Sequence, residues 1–174
     1  MKALLTILIL MSAMVSRTQD MAMPIAKELN LIKFMTGRWS GTMTSVAMGK
    51  VEKGRGSIVC KMTMGGRYLE GDHTYTSKTM GHFSGKQLTG YNAAKKQFYA
   101  YWFDSMGEGA AEFAGNFNGN SLIMVSKPFE MPGGPPMVMR VTFKKISNRK
   151  MDFLLETKDG DKWAKAMTAT FTKD

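Results

Sequence analysis

The chain of 174 residues carries 24 Lys+Arg against 14 Asp+Glu, a formal charge of +10, with 18 Met and a single Cys. One thiol, Cys60, excludes a disulfide framework and any cysteine-based zinc site. An apolar content of 44% excludes a disordered chain, and the length suits one domain able to hold itself by packing.

The N-terminus has the three-part plan of a secretory signal peptide. Met1-Lys2 is a short positive region, residues 3–15 form an apolar run, and small and polar residues follow at 16–19. The run is shorter than the ~20 apolar residues that span a bilayer. The reading is a signal peptide at 1–19, cut somewhere in 16–22, followed by one β-barrel domain at 24–174. Export to the periplasm or the medium follows, and no later segment is long and apolar enough to span a membrane. Cleavage removes Lys2 and Arg17, which lowers the charge to about +8. The remaining Lys and Arg are scattered, with no block longer than a pair, so a nucleic-acid partner is not expected.

Pro24, Ile25, Leu29 and Ile32, with Gly37 as a stop, predict a short amphipathic helix over 24–35. Beyond Gly37 the apolar period changes to two. Strands are expected at 39–48, 56–64, 67–77, 82–91, 97–104, 110–117, 121–129, 137–146, 151–157 and 163–171. Gly65-Gly66, Asn118-Gly119-Asn120 and Lys158-Asp159-Gly160-Asp161 are tight-turn sequences between them. No stretch between strands is long enough for a parallel crossover. The expected fold is therefore all-β, an antiparallel up-and-down closed barrel of about ten strands, with a two-sheet sandwich as the alternative. Glu130 to Pro136 is a Pro/Gly-rich loop that breaks the hairpin pattern and is a candidate lid over the barrel mouth.

Gly37-Arg38-Trp39 at the first strand is similar to the mark of lipocalins and their calycin relatives, which include nitrobindin-like haem barrels. With Gly65-Gly66-Arg67-Tyr68-Leu69-Glu70-Gly71, Leu88-Thr89-Gly90-Tyr91-Asn92 and Tyr101-Trp102-Phe103-Asp104-Ser105-Met106-Gly107, the chain resembles an exported bacterial family, the domain of unknown function numbered 1579. The resemblance covers about residues 25–172. It implies a lipocalin-like barrel and brings no activity, cofactor or catalytic residue. The chain departs from the family in its 130–136 loop and its heavy use of Met. It also has no His in the last two strands, where nitrobindin-like barrels place their haem ligand, so no cofactor is expected.

On the third strand Tyr68, Glu70, Asp72 and Thr74 share one face, and Arg67, Leu69, His73 and Tyr75 the other. On the fifth, Phe98, Ala100, Trp102 and Asp104 oppose Tyr99, Tyr101 and Phe103. Arg140 lies opposite the face of Met139, Val141 and Phe143, and Glu156 opposite Phe153 and Leu155. Parity alone does not say which face is inward. The candidate cavity set is Trp39, Arg67, Tyr68, Glu70, Tyr91, Tyr101, Trp102, Asp104, Arg140 and Glu156.

The leading functional expectation is a barrel that binds a small apolar or amphipathic molecule. One alternative is an enzyme built on an internal Asp104, Glu70 and Arg140 cluster, although no catalytic set stands out. His73 and His82 lack the carboxylate spacing of a metal triad, so no metal site is expected. The other alternative is a Cu(I) or redox buffer using the pairs Met21/Met23, Met62/Met64 and Met137/Met139. Met43, Met124, Met151 and Met167 sit singly in strands, as core filler does.

Overall fold

The computed structural model describes residues 24–47, 50–79, 81–107, 109–130 and 134–174. The expected signal peptide, Met21/Met23 and the middle of the Pro/Gly-rich loop lie outside these residues. Ten strands follow a 3₁₀ helix, Lys27–Met35, and a second, one-turn 3₁₀ segment, Met64–Gly66, lies among them. The strands are β1 Gly37–Ala47, β2 Lys50–Thr63, β3 Tyr68–Ser77, β4 Gly81–Asn92 and β5 Gln97–Asp104, then β6 Ala111–Asn118, β7 Ser121–Ser126, β8 Met139–Ser147, β9 Lys150–Asp159 and β10 Lys162–Lys173.

Every strand pairs antiparallel with its sequence neighbours, and β1 also pairs with β10, so the sheet closes on itself. The seam runs from Trp39 opposite Lys173 to Ser45 opposite Met167. Closure leaves no strand edge to pair with another chain, and it excludes the sandwich alternative. Among the described residues no helix is long and apolar enough to cross a membrane.

The helix covers one end of the barrel. Its buried residues are Leu29, Ile32 and Met35, a stripe with period three that suits a 3₁₀ helix, while Ile25 lies before it and is exposed. The expected α-helical stripe through Ile25 is corrected accordingly. Met35 is tied to the barrel directly, because the Trp39 indole Nε1 donates to the Met35 carbonyl at 2.8 Å. Thr36 ends the helix, with its backbone N–H and its hydroxyl both donating to the Lys33 carbonyl.

β2 begins at Lys50, well before the expected 56. Gly54, outside the expected strand, and Gly56, at its first residue, both lie inside β2 with extended pairing to β1. Their missing side chains make room for neighbours, since a Cβ at Gly54 would strike the Tyr75 ring and one at Gly56 the Met43 thioether. A bulge in β10 between Lys165 and Met167 changes the face of the strand. Before it, Lys165 lies opposite Glu156 on the outer wall; after it, Met167 lies opposite Leu155 inside.

Candidate functional site

Inside the barrel is a cavity of about 480 Å³. The helix covers the opposite end of the barrel, and the cavity reaches the end where the β5–β6 and β7–β8 connections lie. Met106, Gly107, Gly109 and Ala110 of the first connection and Phe129 and Glu130 of the second border the mouth. The base of the β7–β8 connection is closed by reciprocal backbone hydrogen bonds between Phe129 and Met137. Ser126 Oγ accepts from the Met139 N–H beside them.

The two walls differ in chemistry. The β8–β10 wall presents Val141, Phe143, Phe153, Leu155, Met167 and Phe171, all apolar. The β3–β5 wall presents His73, Gln87 and Trp102 as well as apolar groups. Pairing sets Gln87 opposite Trp102, while His73 pairs with Gly85 one inward position further along β4. The Trp102 indole lies over Gly85, where any Cβ would collide with it. The indole stacks on Phe83, with ring centres 6.2 Å apart, and meets His73 edge-on at 5.0 Å.

Asp104 orients this aromatic set. One carboxylate oxygen accepts from Trp102 Nε1 at 2.7 Å, and the other accepts from the backbone N–H groups of Met106 and Gly107. Both oxygens are thus committed to holding the indole and the β5–β6 turn. Gln87 is buried, and its amide nitrogen donates to Thr89 Oγ1 at 2.6 Å. Its carbonyl oxygen and both His73 ring nitrogens have no hydrogen-bond partner among the described residues. Burial pushes the His73 imidazole down to about 4, the nearby Asp72 charge opposing only in part, so the ring is neutral at ordinary pH.

Cys60, buried on β2 next to this wall, does not line the cavity, but a Cβ on Gly71 would lie 3.0 Å from His73 Nε2 and 3.1 Å from Cys60 Sγ. Burial pushes its thiol up to about 12. A thiol raised and an imidazole lowered is the opposite of the arrangement that activates a cysteine nucleophile.

Of the ten sequence-predicted site residues, Trp102 and Asp104 line the cavity. Trp39 and Tyr91 also point inward, but Trp39 is buried under the helix and Tyr91 packs edge-on against Phe98. The other six do not line it. Tyr68 and Tyr101 stand with Tyr99 on the outer wall, where the Tyr99 hydroxyl donates to that of Tyr68 at 3.3 Å. Glu70 is on the outer wall too, its carboxyl held below the ordinary range chiefly by the hydrogen bond from Lys86. Arg140 and Glu156 form an outer-wall ion pair at 2.7 Å, with the guanidinium 4.4 Å from the Trp163 ring centre. Arg67 is half-buried at the turn leading into β3.

The physical reason is parity. The inward face of β3 is Leu69, Gly71, His73 and Tyr75, which puts Glu70 outside, and Val141 and Phe143 take the inward face of β8 from Arg140. The internal Asp104, Glu70 and Arg140 cluster is therefore corrected, because only Asp104 is inside. The Met62/Met64 pairing fails as well. Met64 leaves the strand in the turn Met64–Gly66 and is exposed, whereas Met62 packs on the core. Met43, Met124 and Met151 are buried in the core and Met167 packs on it, as the filler reading expects, and Met43, Met124 and Met167 line the cavity as well. His73 and Gln87 are absent from the sequence-predicted set. The signal for His73 is present in its shared face with Leu69 and Tyr75.

The family model described as "Protein of unknown function (DUF1579)" matches residues 26–173. No curated protein matches the chain. Eighteen chains of solved structures do. One is the crystal structure of Rv2717c from M. tuberculosis, which aligns with a TM-score of 0.69 at 12% identity over 87% of this chain and 99% of that one. At that identity the likeness concerns the fold.

Proposed function

The chain belongs to DUF1579, a family of proteins of unknown function, and from that premise we propose that it is an exported, non-enzymatic binding protein that holds a small apolar or amphipathic molecule inside the barrel. The observation that carries this reading is the cavity itself. Its volume of about 480 Å³ falls within the ~300–1,000 Å³ usual for small-molecule sites. It is walled by aromatic, aliphatic and Met side chains and reaches one end of the barrel. Thioethers adapt to irregular shapes, which suits a pocket accepting a flexible chain. The signal-peptide pattern at 1–19 supports a location outside the cytoplasm, in the periplasm or the medium.

Native mass spectrometry of protein purified without detergent tests the reading. A discrete adduct that organic solvent releases is expected. The variant Ala111→Trp, which puts a large ring into the cavity from β6, is expected to fold and to lose the adduct. A wild-type protein with no adduct that also takes up none of a panel of amphiphiles would overturn the proposal.

A further inference from the structure

We infer that the molecule held in the barrel has an uncharged polar headgroup, of the alcohol or amide class, rather than a carboxylate or phosphate. This rests on the binding reading above and narrows it to a ligand class. The chain carries 24 Lys+Arg, yet no Lys or Arg lines the cavity among the described residues. The charged side chains that do line it are Asp104 and Glu130, both at the mouth end and both acidic. An anionic headgroup drawn inside would lose its water without gaining a cation, and a buried unpaired charge is strongly disfavoured. It would also pass two carboxylates on entry.

A cation finds no better home deeper in. Asp104 already commits both oxygens to Trp102, Met106 and Gly107. What the interior does offer is neutral hydrogen-bonding capacity on one wall. The His73 imidazole supplies one donor and one acceptor, and the Gln87 carbonyl supplies a second acceptor. None of these groups has a hydrogen-bond partner among the described residues, and they sit on adjacent strands flanking the Trp102 ring. A hydroxyl or primary amide satisfies both polarities at once, while its hydrocarbon portion packs on the apolar β8–β10 wall. Among the described residues no fully buried side-chain nitrogen or oxygen lacks a partner, so these free positions are ones that the cavity space reaches, where a headgroup can pair with them.

The test is isothermal titration of the full folded protein with decanol and with decanoate at about pH 7.5, where the carboxylate is ionised. Naphthalene serves as a probe with no headgroup. Decanol is expected to bind at least about tenfold more tightly than decanoate. Gln87→Leu is expected to narrow that ratio while leaving naphthalene binding within about twofold, and His73→Phe provides the same comparison from the neighbouring strand. Decanoate binding as tightly as decanol, or more tightly, overturns the headgroup inference and leaves the binding reading standing. If decanol, decanoate and naphthalene all fail to bind, the binding reading falls and this inference with it.

Discussion

Trp39→Ala is expected to lower the unfolding free energy by about 3–5 kcal/mol, the range for emptying a buried tryptophan site. Trp39 is fully buried where β1 starts, paired with Ile58 on one side and Lys173 on the other. It stands at the seam that closes the barrel, and its indole N–H holds the Met35 carbonyl at 2.8 Å. Truncation leaves a void under the helix and removes the tie between helix and barrel. Trp39→Phe separates the two effects, since it keeps most of the ring volume and removes only the donor. Its cost should be nearer the ~1–3 kcal/mol of an unsatisfied buried carbonyl. Urea unfolding at unchanged m-value measures both. A loss below about 1 kcal/mol for the alanine variant would show that this end is held by other contacts.

The second large effect is acid destabilisation through His73. In the unfolded chain its imidazole takes up a proton near pH 6.5, whereas in the fold burial delays protonation to about pH 4. Between those values the unfolded state binds more protons, so stability is full above about 6.5 and falls as the pH drops. Each tenfold drop in proton affinity is worth ~1.4 kcal/mol, so the loss by pH 4 approaches about 3 kcal/mol. The upper part of that window isolates the histidine. Glu52 and Glu70 are held below their ordinary 4.5, so the stability they contribute is lost only at lower pH. His73→Phe is expected to flatten the slope between about pH 5 and 6.5. A wild-type protein equally stable at both ends of that range would mean that the imidazole is wetter than its surroundings imply.

Strand number, meander order and closure are legible in the sequence because alternation and turn chemistry are local properties. Asn118-Gly119-Asn120 and Asp159-Gly160 mark hairpins where the structure has them, and positive φ at Gly119 and Gly160 is the reason. The candidate site is much less legible. Two residues of one strand share a face whatever happens elsewhere, but which face is inward depends on pairing across the whole barrel. The chemistry of Glu70 and Arg140 suggests an interior network. They are outside because Leu69 and Val141 take the inward positions on their strands. Gly54, which falls outside the strand expected at 56–64, misleads for a related reason. Gly54, Gly56 and Gly85 mark places where Tyr75, Met43 and Trp102 lie against the backbone, and those neighbours come from other strands. The bulge between Lys165 and Met167, which sends Lys165 outward and Met167 into the cavity, has no local signature in the sequence.

A binding site inside the barrel is tested most directly by a fluorescence titration with decanol, because the three tryptophans occupy different settings. Trp102 lines the cavity, Trp39 is buried at the helix end, and Trp163 lies on the outer wall under Arg140. A molecule seated in the barrel should change the emission of Trp102 alone. The expected result is a saturable change with one equivalent bound per chain, abolished in Trp102→Phe and retained in Trp163→Phe. A change that never saturates, or one that persists without Trp102, would contradict a binding site inside the barrel.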